Sequence, residues 1–266
     1  MTHSTRIARA SRCSLRASRL THVARISRRS LRAGESGIAL IMVVLVTTFL
    51  SALGIGVLLA VFMDRLATGN MTGSVAMLYA ADSGIEMAAR DLAQIEDWNV
   101  VLNGDQGSSF TDGMAGGVRG LPGGGAVDLT TMTNMLNCGR SSTCTTAQMN
   151  ASSKERPWGP NNPRWRLFAY GPMQQITQLA RPAPCYLAVW VADDGREQDG
   201  DPLADEAGTQ QPGHGIVRLH AEAFGLAGSR RAIEAELSRV CPGGEETACL
   251  PGIRVQSWQE LRQAIP

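Results

Sequence analysis

The chain reads as an α+β protein, with one long N-terminal helix, first apolar and then amphipathic, packed on a small antiparallel sheet. Three observations predict this. Residues 38–63 form an uncharged run of 26 residues. Beyond it, Met71, Val75, Leu78, Ile85, Ala88, Leu92 and Ile95 recur at steps of three, four and seven, one face of an amphipathic helix. In 164–266, four segments run apolar or alternate between turn signals, the mark of strands.

The elements follow in chain order. Residues 1–37 form a basic leader with nine arginines and one acid, Glu35. That leaves 16 basic and 23 acidic residues, a formal charge of −7, for 38–266. A basic surface for nucleic acid is therefore not expected on the folded part. The acid-free stretch 1–34 has the composition of a mitochondrial presequence, of a twin-arginine signal around Arg28-Arg29, or of a cytoplasmic leader. The following run 38–63 spans about 39 Å as a helix, enough to cross a hydrocarbon core of roughly 30 Å with some tilt. It is longer than the ~7–15-residue core of a removable signal peptide. By the positive-inside rule the leader stays in the cytoplasm and the remainder is exported. Counted over 38–97, the whole helix comes to about 90 Å. Gly69-Asn70 and Thr72-Gly73-Ser74 weaken its pattern, so a bend or local melting is expected there.

Residues 98–163 are rich in Gly, Ser, Thr and Asn and read as mostly irregular loop. Strands are expected at 164–170, 185–192, 216–224 and 230–240. Residues 241–252 read as a tail loop. Residues 256–265 read as a short helix packed by Trp258 and Leu261.

Six cysteines are present. Cys13 is in the leader. Spacing suggests the local pairs Cys138–Cys144 and Cys241–Cys249, leaving Cys185 over, although five exported cysteines allow other pairings. Zinc is the competing reading, but there is no Cys-x-x-Cys, and His214 and His220 lie far from the pairs in sequence. The acidic stretch carrying Asp193, Asp194, Glu197, Asp199, Asp201 and Asp205 offers alternating oxygen ligands around glycines, which suits calcium. The same composition suits a solvated loop between two strands. No catalytic constellation stands out, and no Gly-x-Ser-x-Gly elbow occurs. Trp158, Trp165 and Trp190 suit either an adhesive surface or the core of a domain poor in aromatics.

Two motifs carry a family resemblance. Glu35-Ser36-Gly37-Ile38-Ala39-Leu40-Ile41, after a basic leader, resembles the prepilin peptidase site of type IV pilins and pseudopilins. Leu78-Tyr79-Ala80-Ala81-Asp82-Ser83-Gly84-Ile85-Glu86 resembles the Ala-Ala-Glu-Ala/Ser-Gly segment of PilX-type minor pilins, with Asp82 in place of the glutamate. Together they cover 34 to about 92, roughly a fifth of the chain.

The resemblance implies a pilin-like fold and a non-enzymatic, structural role in a type IV pilus or related filament. It implies cleavage after Gly37, with Ile38 as the first, methylated residue of the mature chain. The implied partners are other pilins or minor pilins, the prepilin peptidase and the inner-membrane assembly machinery. The implied site is a single-pass span of the bacterial inner membrane, with the globular part in the periplasm, before filament entry. Helix packing would involve Met42, Gly54, Gly56, Ala81, Asp82 and Gly84. Met42 stands where the family's usual mature glutamate would be, a departure shared by PilX-type and GspK-like proteins, which points to a tip or priming role. The rival reading is a single-span envelope protein with a periplasmic ligand-binding or hydrolase domain. A weaker rival, from the leader alone, is a mitochondrial inner-membrane protein.

Overall fold

The computed structural model describes residues 36–151, 159–175, 184–197, 200–205, 215–239 and 252–261. Residues 1–35 of the leader, Trp158, Asp199, His214, Cys241 and Cys249 lie outside them. The chain divides into two compact units, Met1–Leu59 and Ala60–Pro266.

In the first unit the described residues are all helix, the start of α1 (Ser36–Leu92). Its apolar side chains are exposed throughout. Thr47, Thr48 and Ser51 turn their hydroxyls back onto carbonyls one turn earlier, so these polar groups are satisfied within the helix. Element α1 is long and apolar enough to cross a membrane.

The second unit holds the rest of α1 and a five-stranded antiparallel meander. Its strands are β3 (Arg166–Pro172), β4 (Tyr186–Asp193), β5 (Ile216–Phe224), β6 (Arg230–Arg239) and β7 (Ile253–Leu261), in sequential order. Two short strands, β1 (Val118–Gly120) and β2 (Ala126–Asp128), form a separate hairpin. The second half of α1 lies on one face of the large sheet. Met77, Ala80, Ala81, Ile85, Ala88 and Leu92 share a core with Leu187, Val189, Val191, Leu219, Ile233 and Leu237. The opposite face of β3 and β4 is covered by β2 and α3 (Leu129–Cys138), through Val127, Leu129 and Met132 against Tyr170, Tyr186 and Trp190. With both faces covered, every residue of β4 is buried. This explains why it reads as a continuous apolar run rather than an alternation.

The helix runs without interruption through Gly69–Ser74, where the sequence suggests a bend. The Thr72 hydroxyl bonds back to the Thr68 carbonyl at 2.9 Å, and the Arg231 guanidinium donates to the Ser74 hydroxyl, tying this turn to β6. The glycine-rich region is more ordered than its composition suggests. It holds α2 (Asn99–Leu102), the small hairpin, α3 and α4 (Thr146–Ala151). Element α3 has a strong start and stop: the Asp128 carboxylate accepts from the amides of Thr130 and Thr131, and Gly139 closes the helix at φ 68°. The C-terminal segment is a fifth strand, not the helix its Trp258/Leu261 spacing suggests. The open edge of β6 offers it eight paired positions, from Ala232 with Leu261 to Arg239 with Ile253. That pairing overrides local propensity.

Candidate functional site

The segment Ala80–Gly84 is the joint between α1 and the sheet. Ala80, Ala81, Gly84, Ile85 and Ala88 repeat at helical spacing and are all buried. Small side chains let the helix backbone sit close over β4. A Cβ at Gly84 would lie 2.9 Å from both methyls of Leu187 and 3.2 Å from a Val189 methyl. Asp82, at the rim, accepts a hydrogen bond from the Trp258 indole at 2.8 Å. Arg231 bonds both Ser74 and, at 3.0 Å, Glu260. Ala81, Asp82 and Gly84 thus lie at a contact within the chain, between helix and sheet. Met42, Gly54 and Gly56 lie in the first unit; Met42 is exposed, and the two glycines have open space where a Cβ would stand. Gly37 and Ile38 lie in the first turn of α1.

The acidic loop after β4 is fastened mainly by protein donors. The buried Asp194 carboxylate accepts from the Arg196 guanidinium at 2.7 Å, and Arg196 reaches Glu236 at 3.2 Å. Asp201 accepts from the Leu203 amide at 3.2 Å, and Asp205 accepts from the Gly215 amide at 2.6 Å. Asp193 and Glu197 are buried beside them. Among the described residues, no group of three or more His, Cys, Asp or Glu side chains is placed to hold a metal ion.

A buried ionic cluster sits on the sheet face away from α1. His220, fully buried, places Nε2 2.9 Å from Glu222 and Nδ1 3.2 Å from Glu234. Glu222 also accepts from Arg230 Nε at 2.6 Å, and Glu234 pairs with Arg218 at 3.3 Å. Trp165 and Trp190 meet the imidazole edge-on, at 5.9 and 5.7 Å between centroids. Burial by itself would lower the histidine pKa. The hydrogen bonds and charges of Glu222 and Glu234 outweigh it and raise the pKa above its ordinary value, which favours the protonated ring. With both nitrogens held by carboxylates, His220 is a bridge between strands and not poised to activate a nucleophile.

Trp165 and Trp190 are core residues, and the Trp190 indole donates to Thr133 of α3 at 2.8 Å. Cys138 and Cys144 form a disulfide, as their spacing suggests. Cys185 is a free, buried thiol next to Met173, and burial pushes its pKa up to about 11.

Searches against protein-family models, curated proteins and solved structures found no match to this chain.

Proposed function

We propose that this chain is a minor pilin-like structural subunit, built into or priming a type IV pilus or related filament. In this reading a prepilin peptidase cuts after Gly37. The apolar half of α1 holds the chain in the bacterial inner membrane, N-terminus cytoplasmic and globular part periplasmic, until other pilins and the assembly machinery draw it out. The observation that supports it most is one element with two characters. Element α1 is a single 57-residue helix, apolar and exposed through its first half and docked on an antiparallel meander through its second. A helix of this kind needs lipid or neighbouring helices for its first half. The Ala80-Ala81-x-x-Gly84 joint gives the sequence resemblance a physical basis, because it holds rod and sheet together at close range.

The test is the N-terminus of the protein in cells with and without the prepilin peptidase. A mature chain starting at Ile38 only when the peptidase is present is the expected result. A chain that keeps its leader in both strains overturns the reading and favours a permanently anchored envelope protein.

A further inference from the structure

The second unit contains a cavity of about 640 Å³, bounded by α3, α4, the chain entering β3 and residues 200–203. That volume falls in the range of small-ligand sites. Arg164, Arg166, Asn134, Asn150, Thr146 and Trp165 are among its walls. Arg164 is the unusual one. It is only 8 % exposed, its Nη2 donates to the neutral amide of Asn150, and its Nη1 has no hydrogen-bond partner. Arg166 lines the same cavity with an unpartnered, buried Nε. Among the described residues, neither guanidinium is paired with a carboxylate. Among the described residues of the wall the one acid is Asp201, which accepts from the Leu203 amide. A buried charge is costly to keep unless something pairs with it, and buried polar atoms are rarely left without partners.

The walls are also well fixed. The Cys138–Cys144 disulfide ties the end of α3 to the segment entering α4. The Asn137 side chain holds both backbone groups of Trp165, at 2.9 and 2.7 Å. The Asn162 amide bonds the carbonyls of Met149 and Asn150. The cavity is therefore not a slack gap between loops.

We infer that this cavity is a binding site for a small carboxylate-bearing polyol, of the uronic-acid class, with Arg164 and Arg166 taking the carboxylate. Guanidinium forks match carboxylate and phosphate oxygens alike. The remainder of the wall decides between them. Of the amides and hydroxyls in the wall, Asn137, Asn150 and Thr133 are already bonded to Trp165, Arg164 and Trp190, which leaves Asn134 and Thr146 for a ligand with one charge and a few hydroxyl groups. Asn134 and Thr146 are the side chains for those hydroxyls. This site does not depend on processing at Gly37, so it stands or falls apart from the filament reading.

The test uses the full chain in detergent micelles, titrated calorimetrically with glucuronate, glucose and inorganic phosphate. Glucuronate is expected to saturate, with glucose at least tenfold weaker and phosphate weaker than glucuronate. Arg166→Gln and Asn134→Ala are expected to weaken glucuronate at least tenfold and several-fold, with little change in the unfolding midpoint. Arg164→Met is expected to abolish binding without lowering the midpoint, since it removes an uncompensated charge. Absence of saturable glucuronate binding overturns the proposal, as does equal affinity for glucose. Tighter binding of phosphate than of glucuronate overturns the polyol assignment. Unchanged affinity in both Arg166→Gln and Asn134→Ala places any binding elsewhere and overturns the site, whether or not the Arg164 variant folds.

Discussion

At Gly84 a single distance sets the residue. The helix lies so close to β4 that a methyl there would overlap Leu187 and Val189. Gly84→Val is expected to lower stability by roughly 2 kcal/mol through overpacking. Gly69→Ala, at an open position on the same helix, should raise it by up to ~1 kcal/mol. Urea unfolding of both variants checks the pair, and equal effects would contradict the close approach. His220 makes a prediction of a different kind. Its folded-state pKa is raised above 6.5, so its contribution is fully present below the unfolded value and is lost as pH rises through the folded one. The urea midpoint of the wild type should fall as pH rises above the unfolded value of about 6.5, and that of His220→Gln should fall less. The substitution itself should cost about 3 kcal/mol, because it leaves two carboxylates facing a group that no longer carries charge. The Arg218/His220/Glu222 face was readable from alternation in one strand. The opposing Glu234 was not, because it enters only through the register of β5 with β6.

Elements differ in how far local sequence decides them. Strand β5 and most of β3, β4 and β6 follow from apolar runs between turn residues, and the amphipathic part of α1 follows from its period. Strand β7 does not, because its conformation is imposed by an edge more than a dozen residues away in sequence. Helix α3 was legible and missed: Asp128 before Leu129 and Gly139 after Cys138 are ordinary start and stop signals, masked by the surrounding glycines. The disulfide closing α3 was legible from spacing alone. It encloses a short loop, so its reduction is expected to cost about 2 kcal/mol. Thermal unfolding with and without reductant measures this. A Cys138→Ser/Cys144→Ser variant that is insensitive to reductant assigns the loss to this bond.

For the molecule as a whole, what was legible is the succession of a basic leader, an apolar span and an acidic remainder. The cavity was not. Its walls come from six separated segments, and Arg164 and Arg166 look in sequence like any strand-edge arginines. The tip or priming role rests on one missing charge, at Met42. If an uncharged residue at this position sets a tip or priming role, Met42→Glu should shift the subunit from the tip into the shaft or reduce the number of filaments, read by labelling along isolated filaments. Unchanged number and position would remove Met42 from the explanation.

The buried Cys185 thiol bears on how the chain acquires its bond. In an unfolded chain in an oxidising medium, Cys185 competes with Cys138 for Cys144, at a disadvantage set by the longer loop it would close. Once β4 is laid into the sheet, that thiol is sealed beside Met173 and its reactive thiolate form becomes scarce. Oxidation before the sheet forms risks mispairing, whereas oxidation afterwards leaves Cys138 and Cys144 facing each other. Folding of the sheet before oxidation therefore removes one route to a misjoined chain.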